Sequence, residues 1–116
     1  MLLYPSSTFT SAVSPAAKPV IMPFVVPPEN FEGESIQMMC TLLSGDDPVM
    51  IYWLKDKISL TGNSEEGITL THVNSRTSML AIPHLGKQHS GNYTCMASNR
   101  AGQSNHSVSL NVLGTC

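Results

Sequence analysis

A chain of 116 residues that is 41 % hydrophobic and 12 % charged can bury one core and is too apolar to stay disordered. Its formal charge of −2, with no Lys/Arg cluster, argues against a nucleic-acid face or a polybasic membrane patch. No apolar run approaches the roughly 18 residues of a membrane helix, so no direct membrane insertion is expected and any anchor would lie outside this chain.

In chain order, the first segment carries no periodic pattern. Met1-Leu2-Leu3-Tyr4 is too short for the apolar stretch of an export signal, and no basic residue precedes it. Residues 5–17 are rich in Ser, Thr, Pro and Ala, so 1–17 is read as a disordered tail or non-native sequence. One folded domain is expected over 18–114, with 115–116 as the truncated start of a linker. Val20-Ile21-Met22 and Val25-Val26 flank Pro23, which predicts a split edge strand, A then A′, ended by Pro27-Pro28-Glu29-Asn30. Strand B is predicted over Ser35–Leu42, C over Met50–Lys55 and C′ over Ile58–Leu60, with a dense turn signal at Ser44-Gly45-Asp46-Asp47-Pro48. Strand D follows at Ile68–Thr71, E at Ser78–Ile82, F at Asn92–Ser98 and G at Ser104–Val112, with Leu85 plugging the E–F corner. Period-two alternation turns Ile36, Met38, Cys40, Leu42, Ile51, Trp53, Leu80, Ile82, Val108, Leu110 and Val112 inward.

The densest signal is His89-Ser90-Gly91-Asn92-Tyr93-Thr94-Cys95. Cys40 and Trp53 precede it, and Tyr93 stands two residues before Cys95. Cys, Trp, Tyr and Cys in this arrangement mark an immunoglobulin sandwich. In that fold Cys40 and Cys95 come from opposite sheets and bridge beneath Trp53, while the Tyr93 hydroxyl ties strand F to the corner before it. Such a bridge needs an oxidising compartment. Cys116 is then left over, which reads as truncation of a longer chain.

The run Leu80-x-Ile82-x-x-Leu85-x-x-x-His89-x-Gly91-x-Tyr93-x-Cys95, followed by Asn99-x-Ala101-Gly102, resembles the I-set immunoglobulin family over residues 18–114. Ile21-Met22-Pro23-Phe24, Asp56 after Tyr52-Trp53-Leu54-Lys55, and the His89–Cys95 run are similar to the variable immunoglobulin domains of arthropod Dscam, shortened chelicerate forms included. The resemblance implies an all-β sandwich of two antiparallel sheets, A-B-E-D and A′-G-F-C-C′. Leu80 and Gly91 join Trp53 and Tyr93 as its fold markers. It further implies an extracellular recognition module beside neighbouring immunoglobulin domains. Such a module would bind an identical copy on an opposing cell as an antiparallel homodimer, as in neuronal self-recognition. The general I-set pattern carries Asp at position 89, able to bridge a basic residue near the start of D or E. Here Arg76 is the basic candidate, and His cannot meet it as an anion. A corner histidine satisfied by backbone is the preferred reading over a titrating switch.

Catalytic, metal and cofactor sites are not expected. His72, His84, His89 and His106 lack ligand spacing with Cys or carboxylate, and Ser90 beside His89 is a chain neighbour rather than a facing nucleophile. Two tripeptides match the N-glycosylation acceptor, Asn92-Tyr93-Thr94 and Asn105-His106-Ser107. Asn92 is expected to be crowded in the E–F corner, and Asn105 points to water. The outward side of A-B-E-D would present Gln37, Met39, Thr41, Thr69, Thr71, Met79 and Ala81. A methionine- and threonine-lined face of low charge can meet its own copy without like charges repelling. With the resemblance, that face is the candidate homophilic interface. Two alternatives stay open: a heterophilic ligand-binding or immune-recognition domain, and a structural spacer of an intracellular muscle protein.

Overall fold

The computed structural model describes residues 16–61 and 67–114; the expectations for 1–15, 62–66 and Cys116 lie outside the described residues. The strands are β1 (Val20–Ile21), β2 (Asn30–Phe31), β3 (Ile36–Ser44), β4 (Met50–Lys55), β5 (Ile58–Ser59), β6 (Thr69–Asn74), β7 (Thr77–Ile82), β8 (Gly91–Asn99), β9 (Gly102–Leu110) and β10 (Val112–Leu113). One four-stranded sheet runs β1-β3-β7-β6 and the other β9-β8-β4-β5. These are the expected A-B-E-D and G-F-C-C′ layers, antiparallel throughout.

Alternation builds the core. Along β3 the side chains of Ile36, Met38, Cys40 and Leu42 are buried, whereas those of Gln37 and Met39 are exposed. Ile51 and Trp53 from β4, Leu80 and Ile82 from β7, and Tyr93, Cys95 and Ala97 from β8 meet them between the sheets. Cys40 and Cys95 are bonded across the layers with their Cα atoms 6.4 Å apart. Closing a loop 55 residues apart in sequence contributes about 4 kcal/mol in the chain-entropy account. Trp53 is buried and its Nε1–H donates to Ser78 Oγ at 3.0 Å, so the one polar atom of the ring is paired. Tyr93 Oη donates to His89 O at 2.6 Å, tying β8 to the corner. That corner contains a 3₁₀ turn over Lys87–His89, next to the buried Leu85.

Strand A′ is a correction. Val25 and Val26 form no strand, and Asn30, expected to end the edge, pairs instead together with Phe31. It runs parallel to Val112–Leu113 as a separate two-stranded ladder, so A′ is not an antiparallel member of the G-F-C-C′ sheet. Pro27 and Pro28 explain the delay, because neither has an N–H to give to a ladder. Asn30 is buried, and its Nδ2 donates to Pro27 O at 2.9 Å. Between β1 and β2 the chain is instead fastened through Phe24. Its ring lies 5.7 Å from Trp53 and 4.6 Å from the His106 ring, centroid to centroid, and His106 Nε2 sits against its backbone, 2.6 Å from Phe24 O and 3.2 Å from Phe24 N. At the start of the domain Ala17 N–H donates to Asp46 Oδ2 and Ala17 O accepts from Asn99 Nδ2, one residue ahead of the expected boundary.

Candidate interaction face

The outer side of β1-β3-β7-β6 is organised in cross-strand rows set by register. Gln37 lies opposite Ala81, which lies opposite Thr69; Met39 lies opposite Met79, which lies opposite Thr71; Thr41 lies opposite Thr77. All seven expected residues therefore fall on one face, because each sits one position from a core residue on its strand. Met39 at 46 % and Gln37, Thr69 and Thr71 are exposed, while Thr41, Met79 and Ala81 are half-buried. None of the residues in these rows is charged. A sulfur-bearing side chain in the middle of an uncharged, hydroxyl-edged surface can repack against a partner at little desolvation cost.

Four exposed apolar residues of this sheet were missed in the sequence: Val20, Met22, Leu43 at 58 %, and Val73. The signal for Leu43 was present, since it is two residues beyond Thr41 on the same alternation. It was hidden because strand B was ended at Leu42, whereas β3 continues to Ser44. Val73 lies on the extension of β6 past Thr71, where the pairing with β7 shifts register between His72 and Asn74. Met22 holds its place by donating its N–H to Thr41 O at 2.8 Å.

Both acceptor asparagines fall on the opposite face. The outer rows of β9-β8-β4 are Gln103–Ser98–Met50, Asn105–Met96–Tyr52 and Ser107–Thr94–Leu54, followed by Ser109 opposite Asn92. Asn92 is exposed rather than crowded, and its backbone is held by Asp56. Asp56 Oδ1 accepts the Asn92 N–H at 2.9 Å, and Asp56 N–H donates to Asn92 O at 2.8 Å.

His89 is the satisfied corner histidine. It is buried, and its Nδ1 accepts the Gly86 N–H at 2.9 Å. Arg76 is no partner for this position. It sits at the β6–β7 turn, about 20 Å along the strands from the corner. There its guanidinium donates to Gly45 O at 2.8 Å and pairs with Asp47 at 3.2 Å. Ser90 does not face the His89 ring as nucleophile to base; its Oγ accepts the Val112 N–H at 2.9 Å. Among the described residues no three of His, Cys, Asp and Glu converge as a metal site, and no helix is long and apolar enough to cross a membrane.

Two layered sheets, a cystine beside a buried tryptophan and a tyrosine bonded back to its own corner together define an immunoglobulin sandwich. A family profile described as immunoglobulin domain matches residues 18–99, and the chain belongs to that family. It is similar to cell adhesion molecule DSCAM of Homo sapiens, 34 % identical over 112 residues, which cover 95 % of this chain and 5 % of that protein. Cell adhesion molecule Dscam2 of Drosophila melanogaster is 33 % identical over 107 residues, covering 92 % of this chain and 5 % of that protein. Among solved structures, the Dscam1 Ig7 domain isoform 9 has a TM-score of 0.79 at 34 % identity, covering 83 % of this chain and 100 % of that one. An I-band titin fragment has a TM-score of 0.72 at 30 % identity, covering 83 % of this chain and 32 % of that one. The chain thus spans only a small part, 5 %, of the length of the curated relatives.

Proposed function

We propose that this domain is an extracellular recognition module of a cell-surface adhesion receptor, and that it binds an identical copy of itself through the outer β1-β3-β7-β6 face. The observation that carries the reading is the uncharged Met39–Met79–Thr71 row, flanked by Gln37–Ala81–Thr69 and by exposed Met22 and Leu43. A two-fold contact sets each residue of the patch against the same patch, so neutrality removes the repulsion that a charged face would meet. Similarity to proteins named as cell adhesion molecules supports the cellular role. This reading places neighbouring immunoglobulin domains in the same chain and has copies on opposed cells meet antiparallel. Neuronal self-recognition is the setting this reading assigns. Changing the outward residues leaves the inward core untouched, so one sandwich can carry many specificities.

Sedimentation of the chain tests the reading. Met39→Asp places two carboxylates near the symmetry axis and is expected to weaken self-association about tenfold or more. Thr69→Asn turns residues 69–71 into a glycosylation acceptor and, in secreted material, is expected to abolish association by wedging the faces apart. If both variants associate like the parent chain, another surface is used.

A further inference from the structure

The face opposite the proposed interface is also apolar. Met50 is 70 % exposed and Ile58 69 %, and Tyr52, Leu54 and Met96 are half-buried around them. Exposed apolar surface of this extent is ordinarily covered. Both acceptor tripeptides of the chain open onto this face and none opens onto the other. Asn105 begins a row that continues through Met96 to Tyr52, two strand spacings or about 10 Å away. The hydroxyls that complete the two acceptors, Thr94 Oγ1 and Ser107 Oγ, are bonded to each other at 2.7 Å, and both lie inside the β8–β9 ladder. An enzyme that takes either tripeptide in its own bound conformation must part these hydroxyls and the strand pairing around them, so modification belongs to the chain before β8 and β9 pair.

We infer that Asn105 is an N-glycosylation site and that the first sugars of its glycan lie over Met96 and Tyr52, giving the domain one shielded face and one bare face. The inference rests on the extracellular reading above. The donor is a lipid-pyrophosphate-linked oligosaccharide. Asn105 Nδ2 forms a bond to the anomeric carbon of the terminal N-acetylglucosamine, the bond from that carbon to the pyrophosphate oxygen breaks, the amide loses one proton, and the lipid pyrophosphate leaves with the bonding electrons. The hydrophobic face of N-acetylglucosamine, lined by C–H bonds, then stacks on the Tyr52 ring and the Met96 thioether. The shield leaves Met39, Met79 and Thr71 bare on the other side, so two copies would meet through that face.

The test directs the full chain into the secretory pathway of mammalian cells with a cleavable leader. Release by peptide N-glycosidase F in heavy-oxygen water labels each formerly glycosylated asparagine, and peptide mass mapping is expected to label Asn105. Secreted chain with the Cys40–Cys95 bond formed and Asn105 unlabelled would overturn the site. Shielding is read by peroxide oxidation of methionine, with Met39 as internal control. Met96 is expected to oxidise severalfold more slowly in the parent chain than in Asn105→Gln or in Ser107→Ala, which removes the acceptor hydroxyl and keeps Asn105. Equal Met96 rates with and without the glycan would overturn the placement on Tyr52 and Met96. The extracellular reading fails separately, if chain taken from its native source carries Cys40 and Cys95 as free thiols.

Discussion

At Gly91 the backbone has φ 156° where β8 leaves the corner, and a Cβ there would stand 2.7 Å from Asp56 Oδ2. Asp56 cannot yield without cost, because its carboxylate accepts the Asn92 N–H. A Gly91→Ala substitution therefore combines an unfavourable backbone angle with displacement of a charge-assisted hydrogen bond. It is expected to lower stability by about 1–3 kcal/mol, or about 4–8 °C of Tm per kcal/mol, in thermal unfolding followed by circular dichroism. The family resemblance identified Gly91 as a fold marker. Its reason was not readable there, because Asp56 is 35 residues away and meets it only through the pairing of β4 with β8. His89 is the converse case. Its backbone-satisfied state was the preferred reading over a titrating switch, and its partner Gly86 is only three residues distant.

Among the elements, the segment between β1 and β2 is held by side chains rather than by a ladder. Phe24 is fixed by ring packing and by the hydrogen bonding of its backbone to His106 Nε2. A His106→Phe variant keeps a ring against Phe24 and leaves the Phe24 backbone without its imidazole partner, at a cost of about 1–2 kcal/mol. Native-state hydrogen exchange is expected to show faster exchange at Phe24 and Val25 while the β3 and β7 amides stay protected. Exchange rising equally in β3 would mean that the segment opens only with the whole domain. Strand A′ was misplaced in the sequence for a related reason. Val25-Val26 has the composition of a strand, but a two-residue edge strand exists only where a partner offers its free side, and β10 offers it to Asn30–Phe31.

For the molecule as a whole, the size of the proposed interface limits its strength. Three strands of six or more residues beside the two-residue β1 make a face of at most about 20 by 20 Å, or about 400 Å² per partner before side-chain relief is counted. Interfaces near 1,600 Å² in total are the ordinary size for stable complexes, so one domain alone is expected to associate weakly. Stronger adhesion would come from several modules acting together, as in multivalent binding. Since no charged residue lies in the facing rows, the self-association constant is expected to change little between low and high salt in sedimentation equilibrium. A steep loss of affinity with salt would point to a charged surface and against this face.

What the sequence by itself determined was the class of fold and the facing of most residues. Cys40, Trp53, Tyr93 and Cys95 at linked positions admit one arrangement, and period two then divides Met38 from Met39 and Leu80 from Met79 without further information. Only the tertiary structure decided which strand ran on, which edge found a partner, and which outward residues share a row. Leu43 joined the apolar face because β3 outran its local signal. Asn92 and Asn105, 13 positions apart in the chain, came to one face because antiparallel pairing folds β8 onto β9. Alternation is a property of a single strand, whereas register and edge pairing are properties of two, and a second strand enters only when the chain has folded.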